Sequence, residues 1–322
     1  MYKNSVVLVT GGTGSWGTEL IHQLLSLHPQ KIIVFSRNEN NQVQMRREIE
    51  DPRLHFFIGD IRDKDTLMQA CTGVDFIFHL AALKHVPVCE DNPLEAIKTN
   101  VIGTQNVIEA AIINGVKKVI YVSTDKAADP VNTYGMAKAL GEKLILHANQ
   151  LDEQTKFLCV RGGNVLGSSG SVLPLFKKQI EEKNEILITD KRMTRYFVTP
   201  KQAIQSLIKA ASFGKGGEIF ILRMKACRII DLAEILIEYN GKANIKMTEI
   251  DARPGEKIEE VLVGDYEKEG TFVYDQDLLV ILPVHERKTA FPLIYESYLT
   301  DSKDLMSKEE VKKLLINGGF LQ

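Results

Sequence analysis

The chain has 322 residues, of which 44% are hydrophobic and 25% are charged, and its formal net charge is −2. This composition is typical of an ordinary globular protein and excludes disordered, collagen-like and disulfide-rich chains. Lys and Arg (40) nearly balance Asp and Glu (42), so no overall basic field favours nucleic acid. The length predicts two domains, or one domain with a large extension.

Cysteine usage and hydropathy indicate where the protein works. Cys71, Cys89, Cys159 and Cys227 are far apart and form no C-x-x-C pair. We therefore predict no metal site, no disulfide framework and a reducing cytoplasm. No apolar run approaches the roughly 20 residues that cross a bilayer, and the N-terminal run is too short for a secretory signal. We expect a soluble cytoplasmic protein with no membrane or nucleic-acid partner.

The first half of the chain alternates strand and helix patterns. Continuous apolar runs, as expected for strands covered on both faces, occur at 6–10, 31–35, 54–58, 76–80, 118–122 and 157–160. Helical patterns lie between most of them, at 18–27, 41–50, 93–114 and 134–150. Strands separated by helices predict an α/β fold, a Rossmann-like doubly wound parallel sheet.

The alternation stops after about Arg161. A glycine-rich passage follows, and then short mixed segments that end in a polar helix over 307–315. We predict a nucleotide-binding domain over 1–161 and a smaller substrate-binding region over 162–322, some segments of which return to the first domain. A ligand cleft between the two regions would suit α/β architecture.

The first predicted strand leads into a glycine-rich loop, Thr10-Gly11-Gly12-Thr13-Gly14-Ser15-Trp16-Gly17. Glycines at 11, 14 and 17 allow a tight turn, the close approach of a pyrophosphate and close packing of the next helix. The N-terminus of that helix offers free N–H groups to phosphate. Because the loop follows a strand and opens a helix, it predicts a dinucleotide site rather than a merely structural turn. The residues assigned to it are Gly11, Thr13, Gly14, Ser15, Trp16 and Gly17.

The end of the second strand indicates which dinucleotide binds. Ser36 and Arg37 occupy the place where a carboxylate would hold the ribose hydroxyls of NAD. A fixed cation suits the additional phosphate of NADP, although a merely solvent-exposed arginine with Glu39 close by is an open alternative. Asp60, after the third strand, is expected to meet the adenine, unless it only caps the next helix.

Candidate catalytic residues follow the fifth predicted strand. Tyr134 and Lys138 are four residues apart and share one helical face. The lysine and a nicotinium ring are expected to lower the pKa of the phenol, which makes Tyr134 a candidate base for a hydroxyl. Thr124, Asp125 and Lys126 precede them, and the last two place a carboxylate next to an ammonium. Adjacent side chains on a regular strand point to opposite faces, so both can face a ligand only if the strand has ended. An exposed Asp–Lys turn is the alternative.

These motifs together resemble the extended short-chain dehydrogenase/reductase superfamily. Further stretches, at 81–87, 92–95, 98–100, 123–127, 188–190, 192–195 and 253–257, narrow the resemblance. They are similar to the small soluble UDP-N-acetylglucosamine 4,6-dehydratases, especially the type that inverts carbon 5 and feeds pseudaminic acid synthesis. The similarity runs from the N-terminus to about residue 265.

The resemblance implies a redox-neutral loss of water from UDP-N-acetylglucosamine or a related UDP-sugar. Hydride would leave carbon 4 for a tightly bound, recycled NADP, carbon 5 would lose a proton, carbon 6 would lose its hydroxyl, and hydride would return to carbon 6. Thr124 would hydrogen-bond the carbon-4 oxygen, Lys126 would act at carbon 5, and Asp125 would assist loss of the hydroxyl. Ile61, Ala81 and Val165 complete the cofactor contacts.

The resemblance also implies substrate contacts, with arginines suited to the diphosphate and a glutamate to the uridine or its ribose. The residues are Lys84, His85, Asn164, Arg195, Arg253 and Glu256. His85 could instead be a packed core histidine, and any single Arg or Glu could be a surface ion pair. The resemblance further implies a homo-oligomer formed through sheet-flanking helices.

Some residues depart from the family pattern. Arg161-Gly162-Gly163-Asn164 replaces the common R-Y-G-N, and Trp16 and Met136 also differ. The stereochemistry at carbon 5 and the stopping point of the reaction therefore remain open. The alternatives are a carbon-5-retaining dehydratase, a UDP-sugar epimerase, an enzyme acting on the 5,6-ene intermediate, or a non-catalytic NADP-binding regulator. A 4-epimerase needs only Tyr134, Lys138 and NAD, and has no use for the pair at 125 and 126.

Overall fold

Nine strands form the main sheet of the computed structural model, which describes residues 1–168, 170–242, 244–284 and 305–321. The strands in chain order are β1 (Val6–Thr10), β2 (Lys31–Ser36), β3 (Leu54–Ile58), β4 (Phe76–His79), β5 (Lys118–Thr124), β6 (Lys156–Gly162), β7 (Asn164–Val165), β8 (Glu185–Ile188), β9 (Thr194–Val198), β10 (Ile219–Leu222), β11 (Ala226–Arg228), β12 (Lys246–Glu249), β13 (Thr271–Val273) and β14 (Leu278–Ile281).

The main sheet has the order β13-β14-β10-β6-β5-β4-β1-β2-β3. Seven strands of this sheet, β1 to β6 and β10, run parallel to one another. Strands β14 and β13 close one edge of the sheet in antiparallel pairing. The order 3-2-1-4-5-6 is that of a Rossmann sheet, in which crossovers on both sides of β1 give a doubly wound fold. The fold class and the six strands of the first half are confirmed.

Helices connect these strands. They are α1 (Ser15–Leu25), α2 (Glu39–Glu48), α3 (Lys64–Ala70), α4 (Val86–Asp91), α5 (Pro93–Ile97), α6 (Gly103–Ile113), α7 (Thr133–Leu151), α8 (Val172–Lys183), α9 (Pro200–Phe213), α10 (Ile229–Asn240) and α11 (Lys308–Asn317). A π-helical turn, Lys98–Ile102, joins α5 to α6, and 3₁₀ turns occur at Asp125–Ala127 and Asp265–Gly270. The helical stretch predicted over 93–114 is therefore continuous but contains a π-helical turn.

The core explains the continuous apolar runs. Val7, Leu8 and Val9 of β1 are completely buried because helices cover the sheet. Helix α1 packs against α9, whereas α3 packs against α6 and α6 against α7. Burial on both faces removes the need for alternating polar residues, which is why each strand is apolar throughout.

A second apolar cluster lies in the C-terminal half. It is built from α8, α10 and α11 with two short sheets, of order β11-β9-β7 and β12-β8. The predicted polar helix over 307–315 is present as α11, which packs against α10. Strands β10, β13 and β14 return to the main sheet, while the boundary after residue 161 stays a prediction.

Candidate active site

A cavity of about 500 Å³ lies at the edge where the parallel strands end. Parallel sheets bind ligands outside the carboxyl ends of their strands, at the point where the strand order reverses. Here that point is between β1 and β4. The lining includes the loop after β1, the ends of β2, β4 and β5, the start of α7 and residues 163–165.

The glycine loop forms one wall of this cavity. All six predicted loop residues line it: Gly11, Thr13, Gly14, Ser15, Trp16 and Gly17. Gly11 has a left-handed φ of 69°, and a Cβ there would lie 2.8 Å from the Ala81 backbone nitrogen. A Cβ at Gly17 would overlap the carbonyl oxygen of Gly12. The cradle is therefore bare backbone leading into the N-terminus of α1, which fits a pyrophosphate.

The far end of the cavity carries the predicted nucleotide contacts Ser36, Arg37, Asp60 and Ile61. Arg37 is half exposed, and its Nη1 lies 3.7 Å from Asp60 Oδ2. Arg62 donates to the same carboxylate oxygen from Nη2 at 2.7 Å. Arg62 also pairs with Glu95 at 2.6 Å, and of the two guanidiniums Arg37 is the one that lines the cavity. Asp63, rather than Asp60, caps α3, so the capping alternative for Asp60 is wrong.

Strand β5 ends at Thr124, and Asp125 begins a 3₁₀ turn. Lys126 lines the cavity, whereas Asp125 is fully buried and does not line it. Asp125 Oδ1 accepts hydrogen bonds from Thr124 Oγ1 (2.9 Å) and Lys126 Nζ (3.0 Å). The exposed-turn alternative is therefore wrong, and Asp125 reaches the cavity only through these two neighbours.

Lys138 lies one turn below Tyr134 on α7, and both line the cavity. Lys138 Nζ donates to the Val122 carbonyl oxygen at 2.6 Å and lies 3.8 Å from the ring centroid of Tyr121. Burial lowers the pKa of Lys138 to about 7. The first turn of α7 is fixed by Asn132, whose side chain accepts from the Gly135 backbone N–H.

The pKa of Tyr134 is raised, whereas the sequence predicts that it is lowered. Burial raises the pKa of Tyr134 to about 12, and the Lys126 ammonium and a Thr124 hydrogen bond only partly oppose this. The expected lowering is absent from the protein without a cofactor, because removal of the phenolate from water outweighs nearby charge. Lys126, rather than Lys138, is the cation that acts on Tyr134.

A buried ion network that the sequence reasoning missed fixes α7 to the sheet. Arg161 on β6 is fully buried and forms salt bridges with Glu142 on α7 and Glu267, both at 2.7 Å. Its Nη1 also donates to the Leu262 carbonyl oxygen at 2.9 Å. Glu142 follows Lys138 by four residues, so the two side chains share one face of the helix. This spacing is the sequence feature from which a buried Glu142 could have been predicted.

Three of the six predicted substrate contacts line the cavity: Lys84, His85 and Asn164. The cofactor candidates Ala81 and Val165 line it as well. His85 is exposed at the N-terminus of α4 and approaches Gly170, so the packed-core alternative is wrong.

Arg195, Arg253 and Glu256 do not line the cavity. The Arg195 guanidinium is buried and donates to the carbonyl oxygens of Thr194, Lys257 and Ile258. It lies 3.8 Å from Glu256, and Arg253 is exposed. The guanidinium of Arg195 thus holds a chain segment in place, and in this geometry it is not presented to a diphosphate.

Gly162 lies against Trp16. A Cβ at Gly162 would lie 3.3 Å from Cη2 of the Trp16 indole, which also lines the cavity. An indole from the glycine loop therefore occupies the wall beside the position where the resembled family commonly has a tyrosine.

The described part of the chain offers neither a metal site nor a membrane-spanning helix. No group of three or more His, Cys, Asp or Glu side chains there could hold a metal ion. Within the same residues, no helix is long and apolar enough to cross a membrane. The four cysteines are free and buried.

The strand order, the glycine loop and the Tyr134/Lys138 pair define the class, an extended short-chain dehydrogenase/reductase with a Rossmann sheet. Residues 7–281 match the family model described as "Polysaccharide biosynthesis protein", and the chain belongs to that family. This agrees with the resemblance drawn from the sequence.

Individual relatives carry two different activity names. A Campylobacter jejuni UDP-N-acetylglucosamine 4,6-dehydratase (inverting) is 43% identical over 85% of this chain and 82% of its own length. A Rickettsia akari UDP-glucose 4-epimerase is 39% identical over 100% of this chain and 98% of its own. The crystal structure of Pen from Bacillus thuringiensis is 40% identical, covers both chains completely and superposes with a TM-score of 0.92.

The glycine loop predicts a sharp difference between two alanine substitutions. Gly17→Ala should lower the free energy of unfolding by ~2 kcal/mol or more, because its Cβ overlaps backbone that cannot move away. Gly14→Ala is the matched control and should cost less than ~1 kcal/mol, since Gly14 has extended backbone and its nearest neighbour would be 3.3 Å away. Urea unfolding of the cofactor-free protein measures both, and equal losses would contradict the loop geometry.

Proposed function

We propose that the protein is a UDP-N-acetylglucosamine 4,6-dehydratase that inverts carbon 5 and serves nucleotide-sugar and polysaccharide biosynthesis. The observation that carries this proposal is the position of Lys126. Its ammonium lines the cavity beside Thr124 and Tyr134, so one wall holds both the residues for oxidising a hydroxyl and an additional acid–base group. The 43% identity to the Campylobacter jejuni enzyme supports the same activity.

We propose a tightly bound NADP as the cofactor. Its pyrophosphate would lie on the glycine loop, and the half-exposed guanidinium of Arg37, which lines the far end of the cavity, would meet the additional phosphate. When bound, the nicotinamide supplies a reversible hydride acceptor, so that hydrogen taken from carbon 4 can be returned to carbon 6.

The residues around carbon 4 handle its hydroxyl. Thr124 hydrogen-bonds the oxygen, and Tyr134 accepts its proton as the ketone forms. With a pKa of about 12, Tyr134 is protonated before substrate binds. Additional positive charge in the cavity is therefore needed before the phenol can act as a base. Lys138 contacts the Val122 carbonyl and the Tyr121 ring, and these contacts hold the start of α7 against β5 at the cavity wall.

The residues at the turn after β5 carry out the elimination. The carbon-4 ketone acidifies the proton on carbon 5, and Lys126 is the group that takes it. Asp125 acts through Thr124 and Lys126, both of which hydrogen-bond its Oδ1. The hydroxyl on carbon 6 then leaves as water, with a proton returned by this group. Each such proton transfer contributes roughly 10²–10⁴-fold in rate.

A UDP-sugar 4-epimerase is the second candidate, favoured by the full-length identity to the Rickettsia akari protein. It would use Thr124, Tyr134 and Lys138 in the same way. It would leave Lys126 and its buried carboxylate partner without a task, and for this reason we place it second.

Solvent isotope incorporation separates the two activities. Incubation with UDP-N-acetylglucosamine in heavy water should give a 4-keto-6-deoxy sugar with a new methyl signal and deuterium at carbon 5, because the proton removed there exchanges with solvent. Proton NMR measures both signals, and the carbon-5 configuration distinguishes inversion from retention.

The control for this experiment is Lys126→Ala, which should bind the cofactor normally and form no dehydrated product. A wild-type product that keeps its carbon-6 hydroxyl and carries no deuterium would contradict the dehydratase proposal and support the epimerase. Normal turnover by Lys126→Ala would remove that residue from the mechanism.

Cofactor choice makes a separate prediction. Arg37→Ala should weaken NADP far more than NAD, because only NADP presents a phosphate to the guanidinium. A loss on the order of tenfold or more for NADP would correspond to one charge-assisted contact. Titration of the cofactor-free protein with each dinucleotide measures this, with Arg47→Ala on the exposed face of α2 as a control. Equal weakening of both would contradict the NADP assignment.

We also propose a cytoplasmic homo-oligomer. The two helices α5 and α7 contact each other and, with the π-helical turn, expose Leu94, Ile97, Ile102, Met136 and Leu140. An exposed apolar patch of this kind is typical of a protein interface, and a second copy of the chain would cover it. Light scattering measures the mass in solution. Leu140→Lys should lower this mass to that of a smaller assembly or a single chain, because a charge in the apolar patch disfavours its burial against a second copy.

A further inference from the structure

A second carboxylate lies beside Lys126 and comes from a distant part of the chain. Glu260 Oε1 is 3.2 Å from Lys126 Nζ, and Asp125 Oδ1 is 3.0 Å from the same nitrogen. The side chains of Glu260 and Asp125 are 4% and 1% exposed, whereas Lys126 is 17% exposed toward the cavity. The ammonium thus bridges two carboxylates that solvent does not reach.

The charges of this group do not balance. Two carboxylates surround one ammonium, and one oxygen of each, Asp125 Oδ2 and Glu260 Oε2, has no hydrogen-bond partner within the described residues. Buried carboxylate oxygens without a partner are costly, and adding one proton removes the excess charge. The trio of Asp125, Lys126 and Glu260 therefore has two carboxylate oxygens at which a proton passed on by Lys126 could be held.

The position of Glu260 is fixed by its own segment. Lys257 Nζ donates to the backbone oxygens of Ala128 and Asp129. Asn132, which caps α7, donates from Nδ2 to the Gly255 carbonyl oxygen at 2.9 Å. The segment that carries Glu260 is thus docked on the loop between the 3₁₀ turn and α7, so the contact with Lys126 does not depend on a free surface side chain.

We propose that Glu260 is a positioning residue that holds Lys126 over the cavity and takes its proton when the amine acts as a base. The positioning part stands on the geometry alone, and the proton transfer rests on the proposed function.

Lys126 passes one proton to the Glu260 carboxylate and becomes a neutral amine. The amine then takes the proton from carbon 5, the C–H bond breaks, and its electron pair moves onto the carbon-4 carbonyl oxygen, which turns the ketone into an enolate. The enolate then re-forms the ketone as a double bond forms between carbons 5 and 6 and the carbon–oxygen bond at carbon 6 breaks. The departing hydroxide takes a proton from the Lys126 ammonium and leaves as water, and Glu260 returns its proton to Lys126, so the trio regains its starting charge.

The two carboxylates keep Lys126 charged before the reaction begins. Burial alone would lower the pKa of Lys126, but Asp125 and Glu260 together raise it well above its usual range, and Arg195 opposes them only weakly. Tyr134 also faces this ammonium. A lysine held in its charged form cannot remove a proton from carbon until its own proton has moved.

Amine reactivity tests the positioning role without any substrate. Glu260→Gln keeps the shape of the side chain and removes its charge, so the pKa of Lys126 should fall and more of the neutral amine should be present. Acylation of Lys126 by a small reagent, followed by peptide mass spectrometry, should then accelerate on the order of tenfold for each unit of pKa lost. Glu259→Gln, at an exposed neighbouring position, is the matched control and should leave the rate unchanged.

Turnover tests the proton transfer. With UDP-N-acetylglucosamine, Glu260→Gln should still show the near-ultraviolet absorbance of reduced nicotinamide, which also shows that it is folded. At a pH where Lys126 is still charged in both proteins, it should form dehydrated product about 10²-fold more slowly, because the amide cannot accept the ammonium proton. Glu260→Asp should restore part of the rate and the wild-type pH profile.

The outcomes separate this inference from the proposed function. Wild-type elimination and unchanged Lys126 reactivity in Glu260→Gln would overturn the role of Glu260. Raised Lys126 reactivity in that variant, with no dehydration of any UDP-sugar by the wild type, would support the Glu260–Lys126 pairing and overturn the proposed function.

Discussion

The end of β5 is the constraint on which the site depends. The strand is paired on both sides, with β4 and β6, and it stops at Thr124. The 3₁₀ turn that follows directs Lys126 into the cavity and Asp125 into the interior. Two more residues of regular strand, through Lys126, would have put this pair on opposite faces of the sheet. The hydrogen bonds of both Thr124 and Lys126 to a single carboxylate oxygen hold the turn in this form.

A second constraint sets the helix opposite this turn. Arg161 connects β6, α7 and the 265–270 turn through carboxylates that are themselves buried. Buried ion pairs add little net stability compared with apolar packing, but a pair that loses one partner leaves an uncompensated charge. The network therefore favours one register of α7 against the sheet, and this register places Tyr134 and Lys138 at the cavity wall. The N-terminal cap by Asn132 fixes the same helix at its other end.

Much of the fold was accessible from sequence because it depends on local patterns. Continuous apolar runs identified β1 to β6, and the glycine spacing identified the loop whose bare backbone the structure shows. The contact of Glu260 with Lys126 follows from how distant segments dock, and no spacing connects the two residues. The sequence suggests phosphate for Arg195, since the chemistry of its guanidinium is visible in sequence and its backbone partners are not. The sequence predicts a lowered pKa for Tyr134 because it reveals a neighbouring cation but not the depth of burial.

The proposed function requires that the amine of Lys126 and the carbon-5 proton of a UDP-sugar meet in this cavity. A crystal structure of the protein with cofactor and UDP-N-acetylglucosamine measures this directly. We expect Lys126 Nζ within about 3.5 Å of carbon 5, with Tyr134 and Thr124 at the carbon-4 oxygen. A sugar bound with carbon 5 turned away from Lys126, while Glu260 and Asp125 still hold that ammonium, would contradict it.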